Sequence, residues 1–236
     1  MSIFKFKQFS INQDKTAMKV GTDGVLLGAW TSFMTKPYSI LDIGTGTGLI
    51  ALQLAQRSNA EIIDALEIDA DAFEQAVSNF EQSDWSNRLF CYHASLEEFC
   101  NEIEEKYDLI VSNPPFYTDS YQSNTPSRNS ARFTSSLSFR ELMQSVSKLL
   151  NNSGEFSLII PFKEEKNIIA LAEEFLLFPK RICRVKGNIN SAIKRSLMSF
   201  SFQKAEIDFS ELSIEIKRHE YTKAYLNLVN DFYLKM

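Results

Sequence analysis

Between Ile40 and Ile50 the chain reads Ile-Leu-Asp-Ile-Gly-Thr-Gly-Thr-Gly-Leu-Ile, and this stretch limits the possible folds more than any other. An apolar run carrying one acid, Asp42, predicts a strand at 40–43. Gly44, Gly46 and Gly48 then alternate with threonines, Thr45 among them. Leu49-Ile50-Ala51-Leu52-Gln53-Leu54-Ala55 follows with the apolar spacing of a helix. Strand, glycine turn and helix N-terminus in that order open a βαβ unit. Glycine in such a turn permits positive φ and close approach of a ligand, and the helix N-terminus presents free N–H groups to an electronegative group. The spacing is G-x-G-x-G; the dinucleotide fingerprint G-x-G-x-x-G would need a glycine where Leu49 stands.

The rest of the chain repeats the alternation. Strand 40–43 leads to helix 48–57, strand 62–67 to helix 70–83 with Asp69 as its N-cap, strand 89–93 to helix 96–104, and strand 107–112 to the loop Asn113-Pro114-Pro115-Phe116. Such alternation predicts an α/β fold with a parallel sheet, whose ligands sit beyond the carboxyl ends of the strands. Gly44–Gly48, Glu67, Ser95 and Asn113 all lie just past strand ends, so four separate elements are expected to converge on one crevice. Glu67, nineteen residues after Gly48, stands where a carboxylate accepts hydrogen bonds from a ribose diol.

Upstream, residues 3–20 alternate through Phe4, Phe6, Phe9 and Ile11, which predicts a β-hairpin with its turn at Asn12-Gln13-Asp14-Lys15. Thr22 is expected to cap a helix running from Asp23 to about Ser32. Downstream, residues 117–136 are nearly all small or polar and form a long loop directly after Asn113–Phe116. A loop of that length in a compact domain is usually functional or disordered, and its position favours a substrate loop. Ser138 and Glu141 fit a capping box opening a helix to about Asn151. Strand 155–160, helix 164–177 and strands 181–186 and 196–203 follow. The last two, with no helix between them, predict an antiparallel hairpin at the sheet edge. Residues 211–217 alternate, and Tyr221–Leu234 reads as an amphipathic helix.

Three scattered cysteines form no C-x-x-C pair, and the two histidines lie in no metal-ligand pattern, so reduced thiols, no metal and a cytoplasmic location are expected. No apolar run has the length of a membrane span, and no membrane association is expected. The net charge of −5 disfavours a broad, non-specific nucleic-acid binder. Any RNA face must therefore be local, with Arg128, Arg132, Lys194 and Arg195 as candidates.

Asp-x-Gly-x-Gly-x-Gly, then an acid ending the next strand, then Asn-Pro-Pro-Phe ending a fourth, resembles the class I S-adenosylmethionine-dependent methyltransferases, and in particular the branch that methylates exocyclic amines or amides. Met18-Lys19-Val20-Gly21-Thr22-Asp23-Gly24-Val25-Leu26-Leu27-Gly28-Ala29-Trp30 is similar to the bacterial tRNA methyltransferases that modify adenine-37, beside the valine anticodon. The tail, with Tyr221 and Asp231-Phe232-Tyr233-Leu234, shares that likeness, so it spans essentially the whole chain.

The resemblance implies a Rossmann-like class I methyltransferase with a seven-stranded, mostly parallel sheet, its seventh strand antiparallel, helices on both faces and an N-terminal β-hairpin. It implies one domain over 1–236, with hairpin and helix in 1–35 and the catalytic core with its C-terminal helix in 36–236. A monomer is favoured. S-adenosyl-L-methionine is the implied cofactor and tRNA the implied partner. Thr22, Asp42, Gly44, Thr45, Gly46, Gly48, Glu67, Ser95 and Asn113 are the expected cofactor contacts, and Asn113, Pro114, Pro115 and Phe116 the catalytic loop. Relatives often carry an acid just after strand three, where this chain has Ala94-Ser95. Two other readings stay open: a protein glutamine-amide methyltransferase, against which Phe116 in place of tyrosine argues, and a non-catalytic cofactor-binding partner.

Overall fold

Ile40, Leu41, Ile63, Leu109 and Ile110 are completely buried because each stands on a strand covered on both faces. The computed structural model describes residues 3–16, 18–115 and 137–235. In chain order its elements are β1 (Ile3–Lys5), β2 (Ser10–Asn12), α1 (Thr22–Trp30), β3 (Ser39–Ile43), α2 (Leu49–Arg57), β4 (Ile62–Glu67), α3 (Ala70–Glu81), β5 (Leu89–His93), α4 (Leu96–Glu102) and β6 (Tyr107–Ser112). After the undescribed stretch come α5 (Phe139–Leu149), β7 (Leu150–Pro161), a 3-10 turn (Phe162–Glu164), α6 (Glu165–Glu174), β8 (Phe178–Asn188), β9 (Ile193–Ser201), β10 (Asp208–Lys217), β11 (Glu220–Tyr221) and α7 (Lys223–Val229).

The main sheet runs β11-β10-β8-β9-β7-β6-β3-β4-β5. β6, β3, β4 and β5 pair in parallel, so their carboxyl ends share one edge of the sheet. The seven strands expected from the sequence are those from β8 to β5, with β9 as the antiparallel member. Two further strands are added outside them, so the sheet has nine among the described residues. The β8–β9 hairpin is present but not at the edge. β9 inserts between β7 and β8, antiparallel to both, and β10 covers the outer side of β8 in parallel. Strand order depends on long-range pairing, which local alternation does not encode.

Successive residues of a strand point to opposite faces, and the core divides accordingly. Ile40, Ile63 and Leu109 pack with α1, α2, the N-terminal segment, and Val229 and Phe232 near the C-terminus. Leu41, Leu66 and Ile110 pack with Leu142, Met143 and Val146 of α5 and Ile168 of α6. Each such side chain stabilises the fold by about 1.5–3 kcal/mol.

Several expected boundaries move. The N-terminal hairpin turns at Phe6–Phe9, not at 12–15: the Phe6 N–H donates to the Phe9 carbonyl at 2.9 Å, and the two rings stack at 4.7 Å. Burial of both rings outweighs the polar turn chemistry of Asn12–Lys15. That segment docks on α3 instead, where Asn79 Oδ1 accepts from the Asn12 N–H at 2.9 Å and Gln75 Oε1 from the Lys15 N–H at 3.1 Å. α1 is capped by the Gly21 backbone without a side-chain bond, and Thr22 is its first helical residue. Asp69 caps α3, and Ser138 and Glu141 form their capping box. The C-terminal helix is shorter than the apolar pattern suggests, because β11 takes Glu220–Tyr221 into the sheet and Thr222 caps α7.

Candidate active site

Three positive-φ glycines shape the loop after β3: Gly44 at 72°, Gly46 at 58° and Gly48 at 80°. A Cβ added to Gly44 or Gly46 would meet nothing within 4 Å among the described residues, whereas one on Gly48 would lie 2.5 Å from the Phe80 ring. Gly48 therefore serves helix packing, and the first two line open space. The Gly44 and Thr45 N–H groups both donate to the Leu66 carbonyl, at 3.0 and 2.9 Å, fastening the loop to the end of β4.

Asp42 holds this loop from below. It is fully buried; its Oδ2 accepts from the Thr45 hydroxyl at 2.6 Å and from the Ala51 N–H in the first turn of α2 at 3.3 Å. Oδ1 has no hydrogen-bond partner among the described residues. Burial pushes its carboxyl up to about 7; the Thr45 and Ala51 bonds hold it down, and the nearby Glu67 charge raises it further. Asp42 and Thr45 thus support the loop from the interior.

Glu67 stands at the mouth. One oxygen accepts from the Gly46 N–H at 2.8 Å, the other from the Ile68 and Asp69 N–H groups at 2.9 and 3.0 Å. One carboxylate so fixes both the glycine loop and the start of α3. Ile68 beside it is an exposed apolar side chain. At the end of β5, the Ser95 hydroxyl accepts from the Glu98 N–H and donates to the Glu98 carboxylate at 2.7 Å, a complete capping box for α4. Hydroxyl and backbone N–H of Ser95 are both committed to Glu98. Sequence alone showed Ser95 at the right strand end but not this use of it.

At the end of β6, Ser112 is buried with its hydroxyl on the Ile43 carbonyl at 2.9 Å, tying β6 to β3. Asn113 next to it is half-buried, Pro114 buried and Pro115 exposed. Consecutive prolines restrict the backbone here and fix where the Pro114 carbonyl points. α1 lies alongside. A Cβ on Gly24 would come 3.0 Å from Leu49 Cδ2, so glycine lets the first turn of α1 pack closely on the start of α2; the same Cβ would lie 4.0 Å from Asn113 Nδ2, which places this turn beside Asn113. Thr22, two residues earlier, is exposed. Gly44–Gly48, Glu67, Ser95 and Asn113 thus end on one edge, as the alternation predicts. Phe116, Arg128, Arg132 and the polar stretch 117–136 lie outside the described residues. Lys194 is exposed, while Arg195 is paired with Asp23 at 2.8 Å.

Residues 25–182 match the model of the methyltransferase small domain family. The chain is 60% identical over 235 residues to the tRNA1(Val) (adenine(37)-N6)-methyltransferase of Christiangramia forsetii, covering 99% of this chain and 98% of that one. It is 58% identical over 235 residues to the protein of the same name from Flavobacterium johnsoniae, at 99% and 100% coverage. The chain belongs to this methyltransferase family. A solved structure of a predicted O-methyltransferase from Agrobacterium tumefaciens superposes with a TM-score of 0.69 at 19% identity, over 89% of this chain and 96% of that one, which shows the shared fold.

The site fits the sulfonium nucleoside such enzymes use. Gly44 and Gly46 leave a cradle that any side chain would fill, Glu67 supplies acceptors at its mouth, and the buried Asp42 has an unpartnered oxygen behind it. Two site residues escaped the sequence reading. Asn79, 1% exposed, donates to both the Asn12 and Thr47 carbonyls, at 3.0 and 2.8 Å, and so binds the N-terminal segment to the glycine loop. Gln53 of α2 donates to the Val25 carbonyl at 3.2 Å. The signal for Asn79 was its place four residues after Gln75 on an otherwise apolar stripe with Ala72, Ala76 and Phe80.

Proposed function

We infer that this chain transfers a methyl group from S-adenosylmethionine to the exocyclic N6 of adenine-37, beside the anticodon of a valine tRNA. The observation that carries the reading is the meeting of Asn113 and Pro114 with the Gly44–Gly46 cradle and Glu67 on one sheet edge, in a chain 60% identical to a relative of that name.

When bound, S-adenosylmethionine supplies a methyl group on a positively charged sulfur, an electrophile that needs little further activation. Asp42, Thr45 and Glu67 keep the cradle formed beforehand, so binding does not have to order the loop. Glu67 is the acceptor for a ribose diol, and Thr22 and Ser95 flank the opening. An adenine amine is a weak nucleophile because its lone pair is delocalised into the ring. Asn113 Oδ1 and the Pro114 carbonyl would accept from the amine hydrogens, which favours the pyramidal, nucleophilic form of the nitrogen. A bound cofactor would supply the methyl group and keep the electron pair of its former bond to carbon, so these residues need only hold and orient the amine. The cationic amine then loses one proton to water, so no side-chain base is required. The target base must leave its stack to reach this edge, and Phe116 offers the ring on which it stacks.

The test is incubation of the protein with labelled S-adenosylmethionine and tRNA lacking the modification, followed by nucleoside analysis. The expected product is N6-methyladenosine at position 37. Label in a peptide glutamine amide with none in tRNA would replace this reading by amide methylation; no transfer to either would leave a cofactor-binding partner.

A further inference from the structure

The first turn of α1 has little local support. Gly21 provides no side-chain cap, and the Gly21 carbonyl to Val25 N–H bond is long, at 3.3 Å. The far end of the helix is well held, because Arg57 donates to the Gly28 and Thr31 carbonyls. At the near end, Asp23 Oδ2 receives the Arg195 Nε–H at 2.8 Å across 172 residues of sequence. Both side chains are about one-third exposed, at 29% and 34%. Arg195 stands opposite Pro161 on one side and Val185 on the other. β9 runs against β7, so its start lies at the carboxyl edge of the parallel strands, the edge that carries Asn113. Asp23 and Arg195 both fall outside the span 25–182 matched by the domain model.

We propose that the Asp23–Arg195 ion pair is a latch that sets the first turn of α1 against Asn113, making both positioning residues for methyl transfer. This rests on the methyltransferase reading above. Gly24, adjacent to Asp23, faces Asn113: a Cβ built on it would lie 4.0 Å from Asn113 Nδ2. A first turn that swings outward gives the Asn113 amide room to rotate, and its oxygen no longer faces the amine. Small misplacements of this kind act on the chemical step. The latch also gives Arg195 a partner inside the protein, in place of the tRNA phosphate that its exposed neighbour Lys194 remains placed to meet.

The two roles for Arg195 predict opposite kinetics. As a latch, Asp23→Asn and Arg195→Gln each lower kcat about tenfold and change KM for unmodified tRNA by less than about twofold. The double variant is no worse than either single one, since both remove the same interaction. Asp23→Glu and Arg195→Lys, which keep the charges, recover most of kcat, and cofactor affinity by calorimetry is unchanged throughout. As a phosphate contact, Arg195→Gln instead raises KM and flattens the salt dependence of tRNA binding, while Asp23→Asn does not reduce turnover. That pattern, or additive losses in the double variant, overturns the latch. An inactive wild-type protein overturns the methyltransferase reading itself, a result separate from either.

Discussion

The two halves of the sheet partner their acids in different ways. In the half formed by β6, β3, β4 and β5, carboxylates meet uncharged donors: Asp42 accepts from the Ala51 N–H and the Thr45 hydroxyl, Asp64 from the Tyr107 hydroxyl, and Glu67 from the Gly46, Ile68 and Asp69 N–H groups. In the half formed by β7 to β10, carboxylates meet cations: Glu155 with Lys180 at 3.0 Å, Glu165 with Arg184 at 2.6 Å, and Glu211 with Lys186 at 2.7 Å. Arg184 is sandwiched further between the Phe162 and Phe209 rings. At the mouth, Glu67 on backbone N–H groups shapes the loop and keeps a negative charge to offer a ligand. Glu155, Glu165 and Glu211, each paired with a lysine or arginine, serve the frame. Among the described residues, the half that binds is the one whose strand acids lack cationic partners.

Substitutions at the binding half should therefore change function more than stability, and those at the other half, the Asp23–Arg195 pair aside, the reverse. The largest effect is expected from Asn113→Ala: kcat on unmodified tRNA falls about a hundredfold, the scale of one transition-state hydrogen bond, with little change in KM. Near-normal turnover would remove Asn113 from the chemistry. Next, Glu67→Ala weakens binding of S-adenosylmethionine or its demethylated product by about 1–3 kcal/mol in calorimetry. Its melting temperature without ligand stays close to wild type, because Ile68, Asp69 and half-buried Gly46 remain near solvent. A large loss of stability would show that Glu67 belongs to the frame.

In the other half, Glu165→Ala orphans Arg184 and the Ser196 hydroxyl, which donates to Glu165 at 2.5 Å. Arg184 keeps 35% of its side chain in solvent, so the cost is about 1–2 kcal/mol, below that of a fully buried pair. The melting temperature drops while kcat per folded molecule holds.

The smallest effect is a matter of pH. Unfolded, Asp42 loses its proton near the ordinary aspartate value of about 3.9; folded, it keeps it to about 7. The native state therefore binds more protons between those values, and this group's contribution to stability falls as pH rises from about 4 to about 7. Asp42→Asn should flatten that slope, narrowing the gap between melting temperatures at pH 5.5 and 7 by roughly 3 °C in scanning calorimetry. An unchanged slope would mean that Asp42 is ionised throughout.

The binding half was legible from the sequence because each of its groups sits in or just past a short, mostly apolar run. Asp42, Gly44, Glu67 and Asn113 could be placed by counting along strands, and parallel topology carried them to one edge. The frame was harder to read. Asp23 and Arg195 meet across 172 residues, and no local pattern announces the pair. The insertion of β9 and the addition of β10 depend on which edge is left open after the other strands have paired. Phe4, Phe6 and Phe9 read as strand alternation, while the turn follows from the burial of Phe6 and Phe9 against each other. Ser95 was visible by position, but its capping box with Glu98 competes for the same hydroxyl.

The N-terminal segment also has a consequence for synthesis on the ribosome. Phe6 forms a β-bridge with Tyr233, and the Lys7 N–H donates to the Phe232 carbonyl at 2.8 Å. Phe4 and Phe6 therefore wait more than two hundred residues for the Tyr233 ring, whereas Phe9 meets Trp85 much sooner. At about 5–20 residues per second, that interval is roughly 11–45 s. Until Tyr233 leaves the exit tunnel, Phe4 and Phe6 lack that cover, and the nascent chain is open to chaperones at this segment.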